Sequence, residues 1–287
     1  MSIHAILVPT DGGDTLPNLL EAAIVVARRF EAHISVLLVS ERKLKKSVTK
    51  DLSKELRKNL IDEEMSILTG VASETEQLVE AFAKRRRIEL TDRPMKKTGV
   101  SISFHHETGK AAEVMVHWSR MFDTTAVMRP TFKSGLGWRK ASKRYHESIM
   151  MQSGRPVLLV PPKWDVHKAQ HAVVAWNHSL ESSRAVAMTY PWLVQMKKVT
   201  LVVPKASLAD GEKLVENLAW NGANAELMPL NRRTSSVGKR LLKICDNVGA
   251  DFLVMGGYSH SRVKERVFGG TTEYVLQNSQ IITVMVH

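Results

Sequence analysis

The chain has a single cysteine, Cys245, among its 287 residues. No internal disulfide can form and no cysteine-built metal site exists, which suits a reducing compartment. Cys245 falls in a helical pattern and reads as a small buried apolar residue. Aromatic residues make up only 6% of the sequence. High aliphatic content with few aromatics suits α/β layers better than an all-β sandwich. No apolar run approaches the roughly 18 to 20 residues of a membrane span, so no membrane partner is expected. The short apolar run Ile3 to Val8 has no basic leader or cleavage site, so a secretory signal is not expected either, and the cytoplasm is the expected location.

Acidic residues are also short: 29 Asp plus Glu stand against 41 Lys plus Arg, a net charge of +12. The excess is local, in Lys43-Leu44-Lys45-Lys46, Lys84-Arg85-Arg86-Arg87, Lys96-Lys97 and the stretch from Arg139 to Arg144. Such runs attract polyanions non-specifically. They hold few aromatics for base stacking, so solvated faces are the expectation and a specific nucleic-acid partner is not.

A strand–helix pattern runs through the chain twice, and the length suffices for two domains with a core each. Residues 3–8 form a strand, Pro9-Thr10-Asp11-Gly12-Gly13 turns, and Asp14 or Thr15 caps a helix to about Phe30. Strands follow at 33–39, 100–104, 125–128 and 156–160. Between them lie a charged helix-compatible stretch at 43–69 and helices at about 73–90, 110–121 and 142–151. Pro161-Pro162-Lys163-Trp164-Asp165 reads as a linker whose polar residues stay outside. The order then restarts, with strands at 172–175, 199–203, 225–228, 252–255 and 281–286 and helices at about 181–196, 208–221, 236–248 and 271–278. Near-continuous apolar strands alternating with helices predict parallel sheets covered on both faces. The expected domains are 1–162 and 168–287. Asp11-Gly12-Gly13 lies opposite Asn177-His178-Ser179, Ala126-Val127-Met128 opposite Leu253-Val254-Met255, and Pro156 to Val160 opposite Ile281 to Met285. The fifth strands, as exposed apolar edges, are predicted to lie side by side and join the halves as a pseudo-dimer.

The densest signal is Asp251 to Thr272. An apolar strand ends at Gly256-Gly257, a basic polar segment follows, and Gly269-Gly270 lead through Thr271 and Thr272 into a helix. Glycines admit backbone N–H groups close to a phosphate, and a helix N-terminus adds partial positive charge. The alternative is that the glycines turn the chain and Arg262, Lys264 and Arg266 solvate it.

An opening strand ending in Pro-x-Asp-Gly, five strand–helix repeats and a late glycine loop before the last helix resemble the universal stress protein (UspA) family. The likeness is to its tandem form, over nearly the whole length. The resemblance implies a Rossmann-like α/β fold: two open five-stranded parallel sheets with helices on both faces. It also implies ATP, with Mg²⁺ only as the nucleotide's companion, held by a glycine loop at ribose and phosphates and an early Asp near adenine. Carried onto this sequence, the pocket of the second half comprises Ala175, Asn177, Val203, Met255, Gly256, Ser259, His260, Arg262, Gly269, Gly270 and Thr271. Ser259 replaces the second glycine of the loop, Gly270 stands at its hydroxyl position, and Asn177 replaces the Asp. Trp176 is bulky enough to fill part of the base pocket. The first half keeps Pro9, Thr10 and Asp11. Its fourth strand ends Met128-Arg129-Pro130 without glycine, and His146-Glu147 stand for the last glycine and hydroxyl.

Other motifs do not hold. Ser134 to Lys140 misses both phosphate-loop spacings and reads as a basic loop. His105, His106 and His117 have no acidic or cysteine partner at ligand spacing. No nucleophile–base–acid order is evident, so no catalytic residue is expected. Three readings stay open: a non-catalytic adenine-nucleotide binder in stress response, an interaction module that has lost its ligand, and a polyanion binder. Whether two chains pair as a homodimer is open as well.

Overall fold

The computed structural model describes residues 2–42, 52–93, 99–129, 145–164, 169–231, 235–258 and 270–287. The strands are β1 (Ala5–Thr10), β2 (His33–Ser40), β3 (Glu89–Leu90), β4 (Ser101–Thr108), β5 (Thr124–Met128), β6 (Val157–Val160), β7 (His171–Ala175), β8 (Lys198–Pro204), β9 (Ala225–Leu230), β10 (Phe252–Gly256) and β11 (Ile282–Val286). They form one sheet in the order β3-β4-β2-β1-β5-β6-β11-β10-β7-β8-β9. Every neighbouring pair is parallel except β6 and β11. Without β3, each half is a five-stranded parallel unit with the same winding, its first strand at the centre.

Helices among the described residues are α1 (Leu16–Phe30), α2 (Lys54–Arg86), α3 (Ala111–Ser119), α4 (Tyr145–Gln152), α5 (Leu180–Val194), α6 (Leu208–Trp220), α7 (Val237–Val248) and α8 (Gly270–Asn278). Side chains alternate across a strand, and two cores follow. Ile6, Val8, Val174, Val254 and Val284 pack with α1, the end of α2, α5 and α6. Leu7, Val173, Val202, Leu253 and Met285 pack with α3, α4, α7 and α8. No helix among the described residues is long and apolar enough to cross a membrane.

The two fifth strands meet as the sequence predicts. β6 and β11 run antiparallel, with Leu159 opposite Thr283 and Val157 opposite Met285, and every residue of both is buried. Arg129 ties the halves further, its Nη1 donating to the carbonyls of Leu276 (2.8 Å) and Gln277 at the C-terminus of α8. A cation there meets the negative end of the helix dipole.

Four expectations change. The described part of the stretch expected at 43–69 runs on into the helix expected at 73–90 as a single helix, α2 (Lys54–Arg86), capped by Ser53 Oγ accepting from Leu56 N at 3.2 Å. It ends at Arg86, and Glu89–Leu90 form the extra edge strand β3. The linker keeps Lys163 outside, as expected, but its backbone is pinned: Asn18 Nδ2 donates to the carbonyls of Pro161 (3.2 Å) and Pro162 (3.1 Å), and Trp164 Nε1 donates to Asn18 Oδ1 (2.9 Å). One expectation holds where it can be seen: in the basic run 84–87, Lys84, Arg85 and Arg87 are exposed, with Arg85 and Arg86 pairing with Glu21, while 43–46, 96–97 and 139–144 lie outside the described residues.

The fourth change is the alignment of the halves. Asp123 Oδ2 accepts from His4 N (2.7 Å) and Ala5 N (3.0 Å); Asp251 Oδ2 accepts from Gln170 N (2.7 Å) and His171 N (2.9 Å). These aspartates are equivalent, so Met128, not Arg129, stands where Gly256 does. Ser153 Oγ and Ser279 Oγ likewise donate to the carbonyls two residues on. Tyr145 and His146 therefore stand where Thr271 and Thr272 do. The fourth-strand alignment read from the sequence was one residue off, which in a strand exchanges the two faces.

Candidate functional site

A cavity of about 780 Å³ opens at the carboxyl ends of the second half's strands. It lies where β7 and β10 adjoin and the winding reverses, the usual ligand crevice of an open α/β sheet. Ala175, Val202, Leu230, Leu241 and Met255 give it apolar walls, and the rim comes from the starts of four helical segments. Ser179 and Ser182 lie at the N-terminus of α5; Lys205 and Ala206 lead into α6. Val237 and Arg240 are in the first turn or so of α7, and Gly270 to Thr272 open α8. Each such end presents N–H groups and partial positive charge.

Of the residues predicted for this pocket, Ala175, Asn177, Met255, Gly256, Gly270 and Thr271 line it. Val203 does not: it is fully buried in the opposite core, and its neighbour Val202 faces the cavity. The period-2 alternation of β8 decides this. Ser259, His260, Arg262 and Gly269 lie outside the described residues. Trp176 lines the edge of the cavity without filling it: it is 8% exposed, packs largely into the core behind the sheet, and directs Nε1 to Ser183 Oγ at 3.4 Å.

Gly256 has a local reason to be glycine. A Cβ there would meet Ser182 N at 2.6 Å and the Glu181 carbonyl carbon at 2.7 Å. Its absence lets the first turn of α5 close on the strand end. Gly270 differs: a Cβ there would meet nothing within 4 Å. Tyr258 adopts a left-handed φ of 60°, and its N–H donates to Thr272 Oγ1 at 3.5 Å. Asn177 Oδ1 accepts from Ser179 N at 3.3 Å, which leaves the NH₂ end of the amide for a ligand. The two serines satisfy each other: Ser179 Oγ accepts from Ser182 N (3.2 Å) and donates to Ser182 Oγ, which donates to Ser179 O.

Lys205 and Arg240 were missed from the sequence. One signal was available: α7 opens Val237-Gly238-Lys239-Arg240 with no acid in its first turn. Cations at a helix N-terminus oppose the dipole, so two in a row call for a compensating partner.

The first half has no comparable cavity among its described residues. Met128 replaces the glycine, and α1 begins at Leu16, the equivalent of Ser182, two residues later than α5 does. Tyr145 and His146 replace the threonines, their rings stacked 4.1 Å apart. Burial and the charge of Asp11 push the Tyr145 phenol well above its usual range. Pro9 and Thr10 are buried in β1, and Asp11 is exposed at its end. Gly12, at φ +81°, sits under helix α2, where a Cβ would meet Val71 Cγ1 at 2.7 Å. His105 and His106 are held apart by strand alternation: His105 bonds Ser103 Oγ (3.0 Å) and lies against Trp118, while His106 bonds Ser40 Oγ (2.9 Å).

No protein-family profile matches the chain, and no curated protein matches it in sequence. Solved structures do match in fold. A universal stress protein from Archaeoglobus fulgidus DSM 4304 superposes over 98% of this chain and 97% of its own, with TM-score 0.71 and 17% identity. A functionally unknown protein from Pseudomonas aeruginosa PAO1 superposes over 99% and 92%, with TM-score 0.52 and 14% identity. The chain thus shares, end to end, the fold of a universal stress protein.

Proposed function

We propose that this chain is a cytoplasmic universal stress protein that binds an adenine nucleotide, ATP by family resemblance, in its second half without turning it over. The domains we assign are 1–162 and 168–287. The carrying observation is the 780 Å³ cavity at the reversal of winding, apolar within and rimmed by helix starts. The 5′-phosphates would lie against Gly270, Thr271 and Thr272 at the start of α8, where a helix N-terminus favours anions. The base and ribose would lie across Val202 and Met255. No carboxylate or histidine lines the cavity among the described residues, so Mg²⁺ would arrive with the nucleotide. The absence of a general base from this lining favours holding over hydrolysis. Binding would stabilise the folded second half by linkage. One observation favours the reading of a lost ligand: Asn177 Oδ1 is turned to Ser179 N, which commits one of its two lone pairs to the loop.

A thermal melt with millimolar ATP and Mg²⁺, with adenosine as control, tests the proposal. The expected result is a rise in Tm with ATP that adenosine does not give. Equal curves for ATP, adenosine and buffer would leave the interaction module as the better reading.

A further inference from the structure

Resting on the proposed nucleotide, the structure assigns a second anion subsite at the end of the cavity away from α8. We propose that Arg240 and Lys205 hold an acidic group of the ligand that is separate from its 5′-phosphates, such as a phosphate on the ribose. Placement comes from strand order. Pro204 of β8 pairs with Leu230 of β9, so Lys205 and Asn231 leave adjacent strand ends. The Arg240 guanidinium donates through Nη1 to the Asn231 carbonyl, which fixes it at that same corner. The first turn of α7 packs on α8, where a Cβ at Gly238 would meet Thr271 O at 3.1 Å, but the Arg240 guanidinium turns away to Asn231. The order β10-β7-β8-β9 puts two to three strand spacings between the end of β10, which precedes α8, and the strand ends that carry Lys205 and Asn231. At about 4.8 Å per spacing that is roughly 10 to 14 Å.

Chemistry at this corner is one-sided. Lys205 and Arg240 are cationic, and the free end of the Asn177 amide donates. Ser179 and Ser182 are saturated by each other, and no carboxylate lines the cavity among the described residues. The acid in the first turn of α6, Asp210, is already shared by His178 (3.6 Å) and Lys213 (3.8 Å). Arg240 also sits against the positive end of its own helix, and its Nε is buried with no hydrogen-bond partner. Two cations beside converging helix starts, with no counter-charge among the described residues of the cavity wall, form a site for an anion. Arg240 is suited to it because its planar fork matches phosphate.

An isomeric pair of probes tests this. ADP and adenosine 3′,5′-bisphosphate carry two phosphates each and differ in where the second sits. Calorimetric titration of the full chain should show the bisphosphate binding about tenfold or more tighter, the scale of one charge-assisted hydrogen bond. In Arg240→Met, and separately in Lys205→Met, that preference should shrink while ADP affinity stays near its original value. Lys205 is exposed, so its variant keeps the test valid if Arg240→Met folds poorly. Equal affinities, tighter ADP, or a preference unchanged in both variants would overturn the subsite and leave nucleotide binding standing. A loss of ADP and bisphosphate binding together in the variants would also overturn it, since the cations would then be holding the 5′-phosphates. Binding of neither probe to the parent chain would instead remove the nucleotide reading beneath it.

Discussion

The two halves share one winding, the same aspartate clamp on the first strand and the same serine turn before the last, yet among the described residues the large cavity at the reversal of winding belongs to the second. Three positions account for the difference. Gly256 corresponds to Met128, and Thr271 and Thr272 correspond to Tyr145 and His146. Small residues line the hollow in one half, and larger ones stand at the same positions in the other. The lesson is that a repeated scaffold retains its backbone pairings while its ligand crevice is opened or closed by a few side-chain volumes.

The largest effect should come from moving a first-half residue into the second. Gly256→Met would drive a Cβ into the backbone of Glu181 and Ser182, atoms that cannot swing aside. A loss of about 3 kcal/mol, at the upper end for overpacking, is expected in chemical denaturation. An unchanged midpoint would show that the first turn of α5 does not depend on this glycine.

The comparison sharpens with pH, at smaller amplitude. His33 bonds Ser101 Oγ (2.8 Å) and Ser103 Oγ (2.9 Å), and burial, with the neighbouring His105, lowers its pKa. Burial lowers that of His105 too, against the opposing pull of Asp92 and Glu107. A histidine held neutral in the folded state contributes fully above its unfolded pKa near 6.5 and loses that contribution as pH falls toward its folded value. The equivalent of His33 is Lys198, paired with Glu226 at 2.8 Å. The hydrogen bond and charge of Lys198 hold the Glu226 carboxyl below its usual range, so that pair yields only in stronger acid. Hydrogen exchange at pH 7.5 and 5.5 should therefore show the first half loosening first, and His33→Gln should flatten the response. Equal loosening of both halves would break the comparison.

Much of this was legible in the residues. Apolar runs of four to eight, punctuated by glycine and proline, located ten of the strands, and the exposed apolar fifth strands foretold their own pairing. The two-residue β3 carries too little pattern to find. Register was harder: the fourth strands match at two offsets in composition, and only the Asp123 and Asp251 clamps separate them. Val203 was misplaced for a separate reason, since its face depends on a single step along β8. Beyond the acid-free start of α7, nothing in the sequence joined Lys205 and Arg240, because they converge from segments 35 residues apart and charge alone does not mark direction.

The central claim is one nucleotide site per chain, in the second half. Calorimetric titration with ATP and with adenosine 3′,5′-bisphosphate, on the parent and on a Thr271→Tyr, Thr272→His double variant, tests it most directly. The account predicts one site per chain for whichever nucleotide binds more tightly, and its loss in a variant that still melts cooperatively. Two sites per chain, or one that survives the double substitution, would contradict it.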